Sequence, residues 1–373
     1  PRDRADGNSV GLPVFIPPLY DSRYALLGAM AAELAAAFRE GGCEVIAEGD
    51  DVARCLALGP VVLVYLNFRP LEAIPAEARR PGSRLAVLQY FVDHPLNLDA
   101  PYMDRAVQMP TFRTALPCVD GLHWLRQRWR ALRHGHVLHG VPRAALCDAA
   151  AVAPSHARGQ ARSRPHDVVV AGSIDTADEV ARRRETIPES LRPAADEMVE
   201  LLLARPDLGF EQALDACLGP RGVMTGLWAT AAGLFRYVTC AVNRRRRTAL
   251  VGALRGLDVL VHGPECWREF CTGTIRYGGE VPYDGVSAAF ARGRVLLAWG
   301  PTQFTHSFSE RLLLGMGAGC ACASDDRLLV RRHFAPSVSP HAPAGAGRLP
   351  PPDPARDAVA LFDAGEPAHA RAV

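Results

Sequence analysis

The chain has 373 residues, of which 49% are hydrophobic, and its formal net charge is +2. This length allows two domains with cores of ordinary size, and the near-neutral charge does not favour nucleic-acid binding. The ten cysteines have neither the spacing of a disulfide framework nor that of a zinc knuckle, which is typical of a reducing compartment. Because we find neither a signal-peptide pattern nor an apolar run of about 18 residues, we expect a soluble, cytoplasmic protein.

All 42 basic residues are arginines. The strongest basic run is Arg244–Arg247. It has no interleaved aromatic residues, so we interpret it as a solvated helix face or a peripheral membrane contact and do not expect a nucleic-acid partner.

Apolar runs alternate with helical segments through the first half of the chain. Strands are predicted at 12–17, 43–47, 61–66 and 85–92, and an Ala-rich helix at 25–39. These strands are continuously apolar, which is typical of a parallel sheet that is covered on both faces. We therefore assign residues 1–150 to an N-terminal Rossmann-like domain, followed by a linker at 151–166.

A second alternation begins at residue 167. Strands are predicted at 168–171, 257–262, 275–278, 295–299 and 320–323, with helices across 177–254, at 285–291 and from near 307. The fold class is therefore α/β, with two doubly wound Rossmann-like domains and a cleft between them, the GT-B architecture. The second domain covers 167–335, and the Pro- and Ala-rich tail 336–373 includes a predicted closing helix near 355–362.

The most informative stretch is 295–324, a strand, loop, glycine-rich helix and strand. Polar residues surround the predicted helix start: His306, Ser307, Ser309, Glu310 and Arg311. A helix N-terminus offers free N–H groups and a positive dipole end, and an arginine fork suits phosphate oxygens. The pattern predicts a diphosphate site. A helix N-cap followed by a surface arginine is the alternative, because it has the same sequence pattern.

Other polar loops follow predicted strands. Gly172, Ser173 and Gly263 stand at strand ends, where glycine allows a ligand close to the backbone or simply makes a turn. Asp93 and His94 follow the strand at 85–92, and a carboxylate or imidazole there could take a proton from a hydroxyl. An Asx turn with a packed histidine is the alternative, and Asp21 in the first loop is the reserve candidate.

The second half resembles the C-terminal domain of CgeB-like (spore-maturation-protein-like) glycosyltransferases. The resemblance covers 167–335 and rests on four segments in order: VVVAGSI, LDVLVHGPECW, IRYGGEVPYDGVSAAFARGRVLLAW and THSFSERLLLGMGAGCACASDD. Arg311 and Gly319 keep the family's spacing. Leu314 stands where many members have a ribose-binding acid, so this contact is lost or shifted to Glu310. FVDHP and LHGVP in the first half are weaker matches.

The resemblance implies a bacterial glycosyltransferase that uses a nucleotide-diphosphate sugar such as a UDP-sugar, without a required metal or cofactor. The acceptor would be a glycan, a protein or a small molecule bound by the first domain. In such proteins the loop of Val281 and Tyr283 lies near the nucleotide base. The alternatives are a nucleotide-sugar epimerase of the same fold and a catalytically silent sugar- or partner-binding protein.

Overall fold

The computed structural model describes residues 11–17, 25–46, 49–67, 82–97, 104–105, 111–129, 133–141, 164–219, 227–325, 327–334 and 359–362. These residues form two parallel six-stranded sheets with helices packed against them. The mixed α/β class and the two Rossmann-like sheets predicted from the sequence are confirmed at this level. Asp21 lies outside the described residues.

The first sheet is parallel throughout, with the strand order β2-β1-β3-β4-β5-β6. Its strands are β1 (Gly11–Phe15), β2 (Cys43–Ile46), β3 (Val61–Leu66), β4 (Leu85–Tyr90), β5 (Phe112–Leu116) and β6 (Arg133–His136). The order reverses between β1 and β3, so a crevice opens there beyond the strand ends. Sequence reasoning missed β5 and β6. The latter reads Arg-His-Gly-His, which has no apolar signal.

The second sheet has the order β12-β11-β10-β7-β8-β9. Its strands are β7 (His166–Ala171), β8 (Val259–His262), β9 (Ile275–Gly279), β10 (Gly293–Leu297), β11 (Ala321–Asp325) and β12 (Val359–Phe362). Counted from β7, this is the strand order of the dinucleotide-binding Rossmann fold, with its switch point between β7 and β10. The tail forms a strand at β12, so the closing helix predicted near 355–362 is wrong over these four residues.

Ten α-helices of the described chain cover the sheets. They are α1 (Leu26–Glu40), α2 (Gly49–Leu58), α3 (Val119–Arg128), α4 (Ala177–Glu185), α5 (Arg192–Ala204), α6 (Phe210–Leu218), α7 (Trp228–Ala253), α8 (Val286–Phe290), α9 (Glu310–Gly317) and α10 (Leu328–Phe334). None of the helices described has the length and apolar character needed to cross a membrane.

The 26-residue helix α7 connects the two sheets. Its N-terminal half shares a core with the first sheet, where Trp228 packs on Trp124 and Trp129 at ring distances of 5.9 and 4.8 Å. Its C-terminal end contributes Val251 to the core of the second sheet. Since a helix rises about 1.5 Å per residue, α7 spans roughly 40 Å and carries its C-terminal half to the crevice between the sheets.

Candidate functional site

A cavity of about 350 Å³ lies between the two sheets, beyond the carboxyl ends of their strands. The first half of the chain lines it with Leu26, Val92, Asp93 and His139. The second half contributes Ala171, Gly172, Ser173, Asp175, Asn243, Arg247, His262, Gly263, Val281, Tyr283, Val286, Pro301, Gln303, Phe304, Ser309, Glu310, Arg311 and Leu314. This central cavity includes the loops after β7 and β10, which is the position that the switch-point rule gives for a ligand.

Two guanidinium groups meet at the loop after β7. Arg311 is half-buried and donates from Nη1 to the Ala171 carbonyl at 2.7 Å and from Nε to Ser309 Oγ at 3.3 Å. Arg247 is 4% exposed and donates from Nη1 to the Ser173 carbonyl. A methyl group on Gly172 would lie 2.8 Å from Nη1 of Arg311 and 3.6 Å from Nη1 of Arg247. Only a glycine therefore leaves both guanidinium groups this close to the backbone.

Neither of these arginines forms an ion pair with a carboxylate among the described residues. Burial, followed by the neighbouring charges of Arg311 and Arg327, lowers the pKa of Arg247 to about 9. Burial also lowers the pKa of Arg311. Arginine is protonated at neutral pH, so two positive charges lie side by side at the loop after β7, and an anion bound there would neutralise them. The carboxylates of Asp93, Asp175 and Glu310 line the same cavity without an ion pair to either arginine.

The position of Arg247 corrects our interpretation of the basic run. Arg245 is exposed and pairs with Glu200, as expected of a solvated helix face. Arg244 donates to the Asp175 carbonyl at 2.6 Å and Arg246 to the Leu202 carbonyl. Arg247 instead lies one helical turn after Asn243, and both residues line the central cavity.

Helix α9 begins at the cavity, and Ser309, Glu310 and Arg311 from its start line the wall. Ser309 stands at the N-cap position, but its Oγ accepts no hydrogen bond from the first N–H groups of the helix. Ser307 and His306, which we also predicted as donor-binding residues, do not line the cavity. Ser307 is fully buried, and its hydroxyl lacks a hydrogen-bond partner among the described residues.

Asp93 lies at the junction of the two halves. Its Oδ2 accepts from Asn67 Nδ2 at 2.9 Å and its Oδ1 from Gln303 Nε2 at 3.1 Å. Asn67 has a left-handed backbone (φ 52°) and also accepts from the backbone N–H groups of Val92 and Asp93. This small network fixes the loop after β4 and holds Asp93 in the cavity wall.

His94 lies outside the cavity wall, although we had paired it with Asp93 as a candidate base. Its Nε2 contacts Glu211 Oε1 at 2.9 Å, its Nδ1 accepts from the Leu96 N–H at 3.1 Å, and its ring stacks on Phe235 at 4.3 Å. Both ring nitrogens are occupied and the residue is 2% exposed. The arrangement is that of a packed structural histidine, the alternative that the sequence left open.

Four cavity-lining residues have a buried polar atom that lacks a hydrogen-bond partner among the described residues. These atoms are His139 Nε2, Arg247 Nε, His262 Nε2 and Tyr283 Oη. Native proteins leave few buried polar groups unpaired, so their concentration around one cavity indicates a site that a polar ligand completes. His139 and His262 were absent from our candidates, because an isolated histidine after a strand gives little signal in the sequence.

Two acidic residues from opposite halves of the chain, Glu33 and Glu310, interact through their charges. Burial, followed by the charge of Glu310, raises the pKa of Glu33 on α1 to about 7. In the unfolded chain this carboxyl ionises near pH 4.5, so the stability that its raised pKa provides is present at low pH and is lost as the pH rises through 7.

We therefore expect Glu33→Gln to raise the free energy of unfolding at pH 8 by about 1 kcal/mol, but to change it little at pH 5, because solvent screens this half-buried site. Urea unfolding at both pH values measures the difference. Glu40→Gln, at the exposed end of the same helix, is the control. Equal effects of the two substitutions at pH 8 would contradict the prediction.

The described residues include no cluster of three or more His, Cys, Asp or Glu side chains that could hold a metal ion. Asp325, at the end of β11, accepts from Arg327 Nε and from the Gly300 N–H at 2.8 Å. No protein-family model matches the chain, and no curated protein matches it.

Proposed function

We propose that this protein is a glycosyltransferase of GT-B architecture, which transfers a sugar from a nucleotide-diphosphate sugar to a hydroxyl group. The observation that carries the proposal is the pair Arg247 and Arg311 at the switch point of the second sheet, with no carboxylate among the described residues in an ion pair with either. Guanidinium groups with free donors bind phosphate oxygens in a fixed geometry.

The start of α9 adds to this site. Its uncapped N–H groups and positive dipole end lie beside Arg311, as at other helix N-termini that bind phosphates. In the proposed reaction the diphosphate is the leaving group, and its negative charge grows as the bond to the sugar breaks. Two fixed cations and a helix N-terminus stabilise that charge in the transition state.

The remaining walls suit the other parts of the substrates. One wall is an apolar surface formed by Val281, Tyr283 and Val286, and the Tyr283 hydroxyl has no hydrogen-bond partner among the described residues. Such a surface suits a nucleobase and ribose. Leu314 is 3% exposed and has no polar side-chain atom, whereas Glu310 lines the cavity, and we assign the ribose hydroxyls to Glu310 instead. The first half contributes Asp93 and His139, on the side where an acceptor would approach.

The resemblance of 167–335 to CgeB-like glycosyltransferases, in which Arg311 and Gly319 keep the family's spacing, supports the same proposal. A nucleotide-sugar epimerase would use the same donor site. It would differ by interconverting free nucleotide sugars without an acceptor, and a silent binding protein would bind them without any reaction.

The test is a thermal-shift measurement with UDP, GDP, TDP, CDP and ADP. We expect one diphosphate to stabilise the protein, by about 2.7 kcal/mol at 100 times its Kd. The shift should disappear in Arg311→Ala and persist in Arg255→Ala, which removes an exposed arginine outside the cavity. No shift with any of the five would overturn the proposal, and epimerisation of the free nucleotide sugar would replace it with the alternative.

A further inference from the structure

The cavity wall contains a buried imidazole with one unpaired nitrogen. His139 follows β6 and is 3% exposed, and its ring packs edge-on to Phe304 at 5.4 Å, across the boundary between the two halves. Its Nε2 has no hydrogen-bond partner among the described residues. A buried polar atom without a partner costs free energy unless a ligand or a water completes it.

The other ring nitrogen of His139 has a partner in the Tyr90 hydroxyl. Tyr90 Oη lies 3.4 Å from His139 Nδ1 and 3.4 Å from the Leu138 carbonyl oxygen. A carbonyl only accepts, so both contacts of Tyr90 Oη are hydrogen bonds only when the Tyr90 proton goes to Leu138 and Nδ1–H of His139 donates to Tyr90 Oη, and we infer this tautomer. This leaves a lone pair on Nε2. Burial raises the pKa of the Tyr90 hydroxyl, which keeps its proton in place.

The charges around the ring match the needs of a base. Burial lowers the pKa of His139, so the imidazole is neutral at pH 7 and can accept a proton. Glu310 and Asp93 act in the opposite direction and stabilise the imidazolium once it forms, while Arg311 opposes it. A neutral base with two carboxylates nearby is suited to general-base catalysis near neutral pH.

We propose that Nε2 of His139 accepts the proton of the acceptor hydroxyl during sugar transfer. This inference depends on the proposed function and assigns its base. The hydroxyl oxygen forms a bond to the anomeric carbon, and the bond from that carbon to the diphosphate oxygen breaks with its electron pair on the diphosphate. The hydroxyl proton moves to Nε2, so the products are the glycosylated acceptor, the nucleoside diphosphate and an imidazolium.

Asp93 was our first candidate for this base. Its two oxygens are each held by an amide, Asn67 on one side and Gln303 on the other, which ties it to both halves of the chain. We assign it to the stabilisation of the His139 imidazolium. We therefore assign the base to His139, whose Nε2 has no hydrogen-bond partner in the part of the chain that the structure describes.

The first measurement is the release of nucleoside diphosphate from UDP-, GDP-, TDP-, CDP- and ADP-glucose, with water as the acceptor, in wild type and His139→Gln. We expect the variant to bind the diphosphate with a Kd within about twofold of wild type, but to release it about 100-fold more slowly. The wild-type rate should decrease as the pH drops below the pKa of His139, which lies under 6.5. This decrease at acidic pH should be absent in the variant. His333→Gln, which removes an exposed histidine outside the cavity, should behave as wild type.

The second measurement needs no turnover. The ¹⁵N chemical shifts of the His139 ring should show the Nδ1–H tautomer at pH 7.5, with a pKa below 6.5. An Nε2–H tautomer would overturn the inference, and so would a His139→Gln rate and pH profile equal to those of wild type. If wild type binds none of the diphosphates, the proposed function fails instead, and the tautomer separately decides whether His139 has the form of a base.

Discussion

Arg247→Met is expected to weaken nucleoside-diphosphate binding by about 100-fold and, at the same time, to make the protein more stable. The loss of affinity follows from the removal of a buried, charged donor that faces Gly172 together with Arg311. A hydrogen bond to a charged group contributes about 1.5–3 kcal/mol, which corresponds to a 10- to 100-fold change in Kd. A site with little water lies at the upper end of that range.

The gain in stability has the opposite origin. Without an anion, Arg247 is enclosed beside Arg311 and Arg327, which lowers its pKa to about 9. At pH 7 the group is charged in both the folded and the unfolded states, so the folded state bears the full cost of burying it. Methionine fills similar space without charge, and we expect a gain of about 1–3 kcal/mol in the free energy of unfolding.

Arg245→Met is the matched control, two residues earlier on α7. Arg245 is exposed and pairs with Glu200, so its loss should leave both the affinity and the stability nearly unchanged. Isothermal titration with the diphosphate that shifts the melting temperature gives the affinity, and urea unfolding gives the stability. A loss of both binding and stability in Arg247→Met would mean that this arginine has a structural role.

The sequence predicted the central strands of both sheets, because parallel strands buried on both faces are continuous apolar runs, but it missed β5 and β6. Strand β3 (Val61–Leu66) has the bounds predicted from the sequence. The bounds of β7, β8, β10 and β11 differ from the predicted ones by at most a few residues. The tail strand β12 was predicted as part of a helix, since four apolar residues among alanines suit either structure.

The candidate site was predictable where a glycine or a helix start gave a local signal. Gly172, Ser309 and Arg311 line one cavity, as their positions at strand ends and at the start of α9 had indicated. His139 was missed, because its position depends on how the chain after β6 packs against Phe304 of the second half. No local pattern records such a contact between distant segments.

Arg247 could have been found from the sequence. One stripe along α7 has residues at intervals of four and is buried or half-buried throughout: Phe235, Thr239, Asn243, Arg247 and Val251. We treated the four consecutive arginines as a unit, whereas a helix distributes four consecutive residues around its circumference. The helical period therefore separates the one arginine at the cavity from its three neighbours.

Gly263→Ala is expected to lower the free energy of unfolding by about 3–5 kcal/mol and to abolish diphosphate binding. Gly263 has φ 152°, a conformation that residues with a side chain rarely adopt. An added methyl group would lie 2.3 Å from the Gly172 carbonyl oxygen and 2.8 Å from the indole of Trp267. Those two groups are joined by a hydrogen bond of 2.7 Å from Trp267 Nε1, and Trp267 is fully buried. The methyl group must therefore separate partners that have no room to move.

The binding defect follows from the same displacement. Gly172 lies against both guanidinium groups, so a shift of its carbonyl alters the loop that positions Arg247 and Arg311. Gly279→Ala is the matched control: this glycine ends the neighbouring strand with φ 83°, but a methyl group there meets no atom of the described residues within 4 Å. Its cost should be limited to backbone strain of about 1–2 kcal/mol, with diphosphate binding retained. Urea unfolding and calorimetric titration compare the two variants, and equal costs would show that the clash at Gly172 contributes nothing beyond the strained backbone.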